Sequence, residues 1–203
     1  MFIKGVGCTK FGLEQNYLKM IHEASFEALN QGDLGIKDID MVVVSNLNLT
    51  TNGERQRLKA SLISSVFKKT MPIIHVPSAC EGGGVALWTA LNFLKNQENG
   101  FNNILVLGYE KLVANLSRVI TDDILMASER LYEQEEGLNF PAQYALVAQQ
   151  HMLKFGSTED DFALIAEKNH FNAALNPKAR FYKKNVSLSE IKKSPVVASP
   201  LRI

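Results

Sequence analysis

A cysteine stands just before three glycines in the segment PSACEGGGVALW, residues 77–88. The apolar run that follows predicts a helix, so Cys80 lies at a helix N-terminus, where unpaired N–H groups and a partial positive charge favour a thiolate. The same N–H groups can hold the oxyanion that forms when a thiolate attacks a carbonyl. Gly82, Gly83 and Gly84 present no Cβ, which lets a thioester approach. The pattern predicts a nucleophile for acyl transfer; the alternative is a small buried residue at a tight turn.

Strand-like and helix-like segments alternate around this cysteine. Apolar and β-branched runs predict strands in FIKGVGCTKF, DIDMVVVSNLN, PIIHVPSA and NNILVLGYEKL. Helical periodicity predicts helices between them in NYLKMIHEASFEALNQGDLG, NGERQRLKASLISSVFKK and GGVALWTALNFLKNQ. The order βαβαβαβ predicts an α/β fold with a mainly parallel sheet between helices. Ligands bind beyond the carboxyl ends of such strands, and Cys80 directly follows one.

The pattern changes after residue 112. An irregular stretch with short helical pieces precedes a predicted helix that starts at Pro141, a residue suited to a first turn. A second helix has Ser157 as its predicted N-cap, and Ser187 with Glu190 has the spacing of a capping box. We therefore predict two domains: an α/β domain over residues 1–112 and a mostly helical loop domain over residues 113–203.

Composition narrows the classes of function. The 203 residues carry 22 basic and 21 acidic side chains. This balance argues against electrostatic binding of nucleic acid along the whole chain. No apolar stretch approaches the ~20 residues that a membrane span needs. Two cysteines far apart in sequence do not make a disulfide framework. We expect a cytoplasmic protein that binds neither nucleic acid nor membrane and has no metal site.

Two stretches resemble a known family. SACEGGGVAL followed by NNILVLGYEKL resembles the nucleophile segment and the next strand of the thiolase superfamily. FPAQYALVAQQHMLKFGSTEDDFALIAEKNHFNAALNPKARF resembles the inserted loop domain of archaeal and sterol-carrier-protein-type thiolases. The resemblance runs along nearly the whole chain. Hydroxymethylglutaryl-CoA synthase-like and ketoacyl-synthase-like condensing enzymes share the fold and the nucleophile, but KNH and NAALNPKA favour a thiolase.

The resemblance implies a reaction and a site. An acyl-CoA such as acetyl-CoA would acylate Cys80, after which acetyl-CoA condenses with the acyl group or CoA thiolyses a 3-ketoacyl-CoA. Such reactions belong to lipid metabolism, including the mevalonate pathway. The coenzyme A thioester is the substrate, so no cofactor is expected. The substrate-binding residues that the resemblance implies are Gly82, Gly83, Gly84, Phe140 and His170. Glu81 stands where many relatives have a small residue; it either alters the choice of acyl group or reaches solvent.

The resemblance covers only the N-terminal half of a thiolase. The C-terminal half supplies a histidine that activates the nucleophile and a second cysteine that moves the α-proton. The chain is therefore expected to need a complementary half for turnover. It would be a split-thiolase subunit, a fragment or a non-catalytic scaffold of an acyl-transfer complex. Expected partners are a second copy of the chain, a chain with the C-terminal half, and the zinc-ribbon/OB-fold protein and synthase found with archaeal relatives.

Other candidate residues have simpler interpretations. None of the four histidines matches the activating one. We interpret His75 as a packed or hydrogen-bonded histidine of the core and His170 as a structural or pocket-lining residue. Trp88 is predicted to be a core residue. A basic group either meets the phosphates of CoA or forms a solvated loop; its members are Lys178, Arg180, Lys183 and Lys184.

Overall fold

The computed structural model of the chain describes residues 1–12, 16–47, 58–96, 98, 100–111 and 117–203. Two compact units are formed, Met1–Thr9 with Leu13–Ser117 and Lys10–Gly12 with Arg118–Ile203. The helices and strands in chain order are α1 (Tyr17–Gln31), β1 (Met41–Ser45), α2 (Lys59–Phe67), β2 (Ile73–His75), α3 (Gly82–Lys95), β3 (Ile104–Gly108), α4 (Ser117–Leu125), α5 (Phe140–Phe155), α6 (Glu159–Leu175), α7 (Leu188–Lys193), β4 (Val196–Ala198) and β5 (Leu201–Arg202).

The first unit is built on a parallel sheet of three strands in the order β2-β1-β3. Val43 of β1 pairs with Ile74 on one side and Val106 on the other. All five residues of β1 are buried, as expected for a β-branched run in the middle of a sheet that is covered on both faces. The predicted α/β class with a parallel sheet between helices is confirmed.

The sheet separates two apolar layers. On one face, Ile21 of α1 and Ile63 of α2 pack with Val42 and other residues of the sheet. On the other face, Val43 packs with Ala86 of α3 in a smaller cluster. Side chains that alternate along β1 therefore pack into both layers. The layer around Val43 holds α3, and the turn that precedes α3, against the sheet.

The predicted first strand is wrong. The described residues 2–11 contain no strand, and their backbone is bonded to helix α1 instead: Val6 N donates to Oε1 of Gln31 at 2.6 Å. A Cβ built on Gly7 would overlap the carbonyl oxygen of Ala24, so glycine lets this segment lie directly on the helix backbone. The glycines that interrupt the apolar alternation thus serve a close approach rather than a strand.

The second unit contains helices α5, α6 and α7 and the antiparallel pair β4–β5. Helix α5 begins at Phe140, one residue before the predicted start, and the capping box of Ser187 is confirmed by its N–H, which donates to Glu190 at 2.8 Å. The predicted N-cap of α6 is wrong, because Thr158 takes that position. Its N–H donates to the carboxylate of Asp161 at 2.8 Å, so the acid three residues later selects the cap.

No helix in the described ranges is both long enough and apolar enough to cross a membrane. Within the same ranges, no three His, Cys, Asp or Glu side chains come together as a metal site would require.

Candidate functional site

Polar side chains gather where the three parallel strands end, at one edge of the sheet. Asn46 follows β1, His75 ends β2 and Glu110 follows β3. The carboxylate of Glu110 accepts hydrogen bonds from Leu47 N and Lys111 N, both at 2.9 Å, and so ties the end of β1 to the end of β3. Neither Asn46 nor Glu110 is indicated as functional by its local pattern. The signal that points to them is their position near the carboxyl end of a predicted strand segment.

Cys80 lies at this edge, in the 3-10 turn Ala79–Glu81 that joins β2 to α3. The turn runs directly into α3 at Gly82, so the thiol stands at the head of the helix, as predicted, and it is exposed. Ala79 has φ +44°, in the left-handed region, which costs a residue with a Cβ about 1–2 kcal/mol. Strain of this kind persists only where the surroundings hold it, and it is common in functional turns.

The three glycines after Cys80 are not equivalent. Gly82 is buried, and a Cβ on it would overlap Oγ of Ser45, so packing requires glycine there. Gly83 and Gly84 are exposed, and nothing lies within 4 Å of the place where their Cβ atoms would be. Open space therefore lies beside α3 next to Cys80, and Glu81 is exposed to solvent.

His75 is held by a side-chain hydrogen bond. Its Nε2 lies 2.7 Å from Oδ1 of Asn46, in agreement with the interpretation of His75 as a packed or hydrogen-bonded residue, and the ring is half-buried. Burial lowers the pKa of His75 below its ordinary value of 6.5, and the positive charge of Lys59 lowers the pKa further. The imidazole is therefore neutral at pH 7. With Oδ1 of Asn46 as the acceptor, Nε2 is the ring nitrogen that carries the proton.

The lowered pKa of His75 predicts a pH effect on stability. In the unfolded chain the histidine binds a proton near its ordinary pKa of 6.5, whereas the folded chain resists protonation. The unfolded state therefore takes up more protons, and the free energy of unfolding falls as the pH drops below about 6.5. Urea unfolding between pH 7.5 and pH 5 measures this fall. The His75→Gln variant, whose amide keeps a donor for Asn46, is expected to show a flatter profile; an equal slope would contradict the assignment.

The remaining predicted site residues lie in the second unit. Phe140 is the first residue of α5, and its helix is capped by Asn139. His170 of α6 packs edge-on against Phe181, with ring centroids 4.5 Å apart. The basic group follows α6 in a region of turns, where Arg180, Lys183 and Lys184 are exposed. Cys80 and the three glycines thus form one local group, whereas Phe140 and His170 belong to the other unit.

The prediction that Trp88 is a core residue is wrong. Its side chain is 67% exposed, and the neighbouring Leu87 is 43% exposed. The buried positions of α3 are Gly82, Ala86 and Ala90, spaced four residues apart. These small residues let the helix lie close to the sheet, which turns the large side chains outward.

Comparison with known proteins supports one family. No protein-family model matches the chain. The chain is 30% identical over 202 residues to an acetyl-CoA acetyltransferase of Methanothermobacter thermautotrophicus, covering 98% of this chain and 51% of the relative. It is 29% identical over 203 residues to sterol carrier protein 2 of Bos taurus, covering 94% of this chain and 36% of the relative.

A solved structure shows the same fold. The Ltp2-ChsH2(DUF35) aldolase superposes with a TM-score of 0.68 at 24% identity, over 99% of this chain and 50% of that one. The chain thus spans about half the length of the structure and of the archaeal relative. The predicted resemblance to the thiolase superfamily is confirmed: the whole of this chain matches about half the length of relatives from that family, which is consistent with an N-terminal half.

Proposed function

We propose that the chain is the acyl-accepting half of a thiolase-type acyltransferase and that Cys80 is its nucleophile. The observation that carries this proposal is the position of Cys80. Its exposed thiol stands at the head of α3, beyond the carboxyl end of a parallel strand, directly after a residue in a strained conformation. The resemblance to the thiolase superfamily supports the same role for this segment.

The proposed step transfers an acyl group between two sulfur atoms. The thiolate of Cys80 attacks the carbonyl carbon of an acyl-CoA, and N–H groups at the start of α3 stabilise the oxyanion. The new bond joins the carbonyl carbon to Sγ; the bond to the sulfur of CoA breaks, and CoA leaves as a thiolate that takes a proton from the medium. Gly83 and Gly84 leave room for the thioester. No cofactor is needed, because the substrate supplies its own activated carbonyl.

Turnover is proposed to require a complementary thiolase half. The outer side of the first unit is apolar and uncovered at Leu87 and Trp88 of α3 and at Val106 of β3, which is 36% exposed. Large apolar side chains left exposed in this way favour a site for a protein partner. A chain with a thiolase C-terminal half would cover this face. It would also supply the histidine and the second cysteine that the reaction after acylation of Cys80 needs. A second copy of this chain would cover the face without supplying these two residues.

The first experiment identifies what binds the chain in its own cell. The tagged chain is purified gently, its partners are identified by mass spectrometry, and the complex is mixed with acetyl-CoA. We expect a partner that carries a thiolase C-terminal half, and an acetyl group on the peptide 77–88. Partners without such a half, together with no acylation of Cys80, would contradict the proposed acyltransferase function. The chain would then be a non-catalytic scaffold of an acyl-transfer complex.

The open space beside Gly83 and Gly84 predicts opposite effects on stability and activity. Alanine at either position meets no atom within 4 Å and is a better helix former, so the free energy of unfolding should rise by about 0.5 kcal/mol. The added methyl group narrows the approach to Cys80, so acylation by acetyl-CoA should slow. Urea unfolding and a timed acylation assay measure the two effects. Alanine variants that acylate at the original rate would show that these glycines do not serve substrate access.

A further inference from the structure

Ser45 contacts both ends of the segment that carries Cys80. It is the last residue of β1, and only 3% of its surface is exposed. Its hydroxyl donates a hydrogen bond to the carbonyl oxygen of Val76, just after β2, at 2.9 Å. The same Oγ occupies the space that a Cβ on Gly82 would take at the start of α3. One buried hydroxyl therefore meets the connection between β2 and α3 where it begins and where it ends.

The residues between these two points include the strained one. Ala79 holds φ +44° directly before Cys80. Val76 is also fixed through its backbone, since its N–H donates to Val44 O at 2.9 Å. A left-handed alanine relaxes unless both ends of its segment are held. Ser45 acts on both ends, and its own carbonyl oxygen accepts from Tyr109 N at 3.2 Å, which anchors it to β3.

We infer that Ser45 is a positioning residue for Cys80: its hydroxyl holds the β2–α3 connection so that the thiol stays at the head of α3. The acyl substrate of Cys80 rests on the proposed function, but the position of the thiol does not. Ser45 itself need not touch the substrate. Its effect passes through the hydrogen bond to Val76 and the packing against Gly82.

The test measures how fast Cys80 reacts with iodoacetamide in the full chain. Cys8→Ser serves as the background, because Cys8 is also exposed and would react. Ser45→Ala removes the hydrogen bond, so Ala79 can leave the left-handed region and Cys80 can leave the helix N-terminus. The alkylation rate is then expected to fall by about fivefold, the size of a lost helix-terminus interaction with a thiolate. Thermal unfolding followed by circular dichroism reports whether the variant is folded.

A second variant separates the hydrogen bond from the packing. In Ser45→Ala/Gly82→Ala the new methyl group occupies the space left by Oγ, and it lies at an ordinary 3.5 Å from Cβ of residue 45. Packing is restored, but the bond to Val76 is not. We expect its thermal unfolding temperature to recover while alkylation stays slow. Full recovery of the rate would show that packing alone positions the thiol, and an unchanged rate in Ser45→Ala would also overturn the inference. If Ser45→Ala does not fold, the double variant decides.

The outcome can be separated from that of the proposed function. Iodoacetamide needs neither acyl-CoA nor a partner chain, so slow alkylation of the variants supports the role of Ser45 even if acetyl-CoA never acylates Cys80. The converse result is that acetyl-CoA acylates Cys80 while Ser45→Ala changes neither acylation nor alkylation. That result would support the proposed acyltransferase function and contradict the positioning role of Ser45.

Discussion

Replacing Cys80 by alanine is expected to abolish acylation of the chain in any assembly that acylates the original. The variant keeps the turn and the helix but removes the sulfur that receives the acyl group, and loss of a nucleophile costs on the order of a thousandfold or more. The measurement is the intact mass of the chain after exposure to acetyl-CoA, followed by mapping of the peptide 77–88. Stability should change little, because the side chain is exposed.

Cys8→Ala is the matched control for this variant. Cys8 is the other exposed cysteine, and it belongs to the N-terminal segment on α1. Acylation should continue in Cys8→Ala at the original rate. Acetyl groups that persist on the chain in Cys80→Ala, or disappear only in Cys8→Ala, would place the nucleophile elsewhere.

Gly7→Ala is expected to have the largest effect on stability among the variants considered. A Cβ on Gly7 would overlap the backbone oxygen of Ala24, and a helix backbone cannot move aside as a flexible side chain can. The N-terminal segment must lift from α1 and give up its hydrogen bonds, including the one from Cys8 N to Glu27 at 2.9 Å. We expect the free energy of unfolding to fall by about 2 kcal/mol, measured by urea unfolding.

Gly12→Ala provides the comparison for that effect. No atom lies within 4 Å of the place where its Cβ would be, so its free energy of unfolding should stay within about 0.5 kcal/mol of the original. Hydrogen exchange adds a local readout: the N–H of Val6, which donates to Gln31, should lose protection in Gly7→Ala and keep it in Gly12→Ala. Equal stability of the two variants would mean that the segment does not depend on this close approach.

Sequence patterns that are compatible with only one kind of element predict the fold well. The β-branched run of β1 could be satisfied only by a strand buried on both faces, and helix α1 followed from apolar residues at helical spacing, of which Ile21 and Leu29 are in the core. The N-terminal segment misled because its alternation of glycine and apolar residues suits two structures equally: a strand, or a chain lying on a helix. The partner that decides between them lies elsewhere in the sequence.

The site was predictable where local chemistry defines it and not where contacts define it. Cys80 stands out because a cysteine before glycines at the start of a helix is a local signal. Ser45 does not, since a serine at the end of an apolar strand is unremarkable until Val76 and Gly82 are brought against it. Trp88 was misjudged for a related reason: helical periodicity identifies an apolar face but not which side of α3 the sheet takes.

The central place of β1 also orders events during synthesis. Val43 of β1 pairs with Ile74 of β2 on one side and with Val106 of β3 on the other, so β1 gains its second neighbour in the sheet only after β3 has been made. Until residue 108 has emerged from the ribosome, one edge of β1 stays unpaired, and such edges recruit other chains. Slow translation just before β3 would therefore lengthen the time during which this edge of β1 is exposed, and a chaperone that binds the chain in that interval would raise the yield of folded chain.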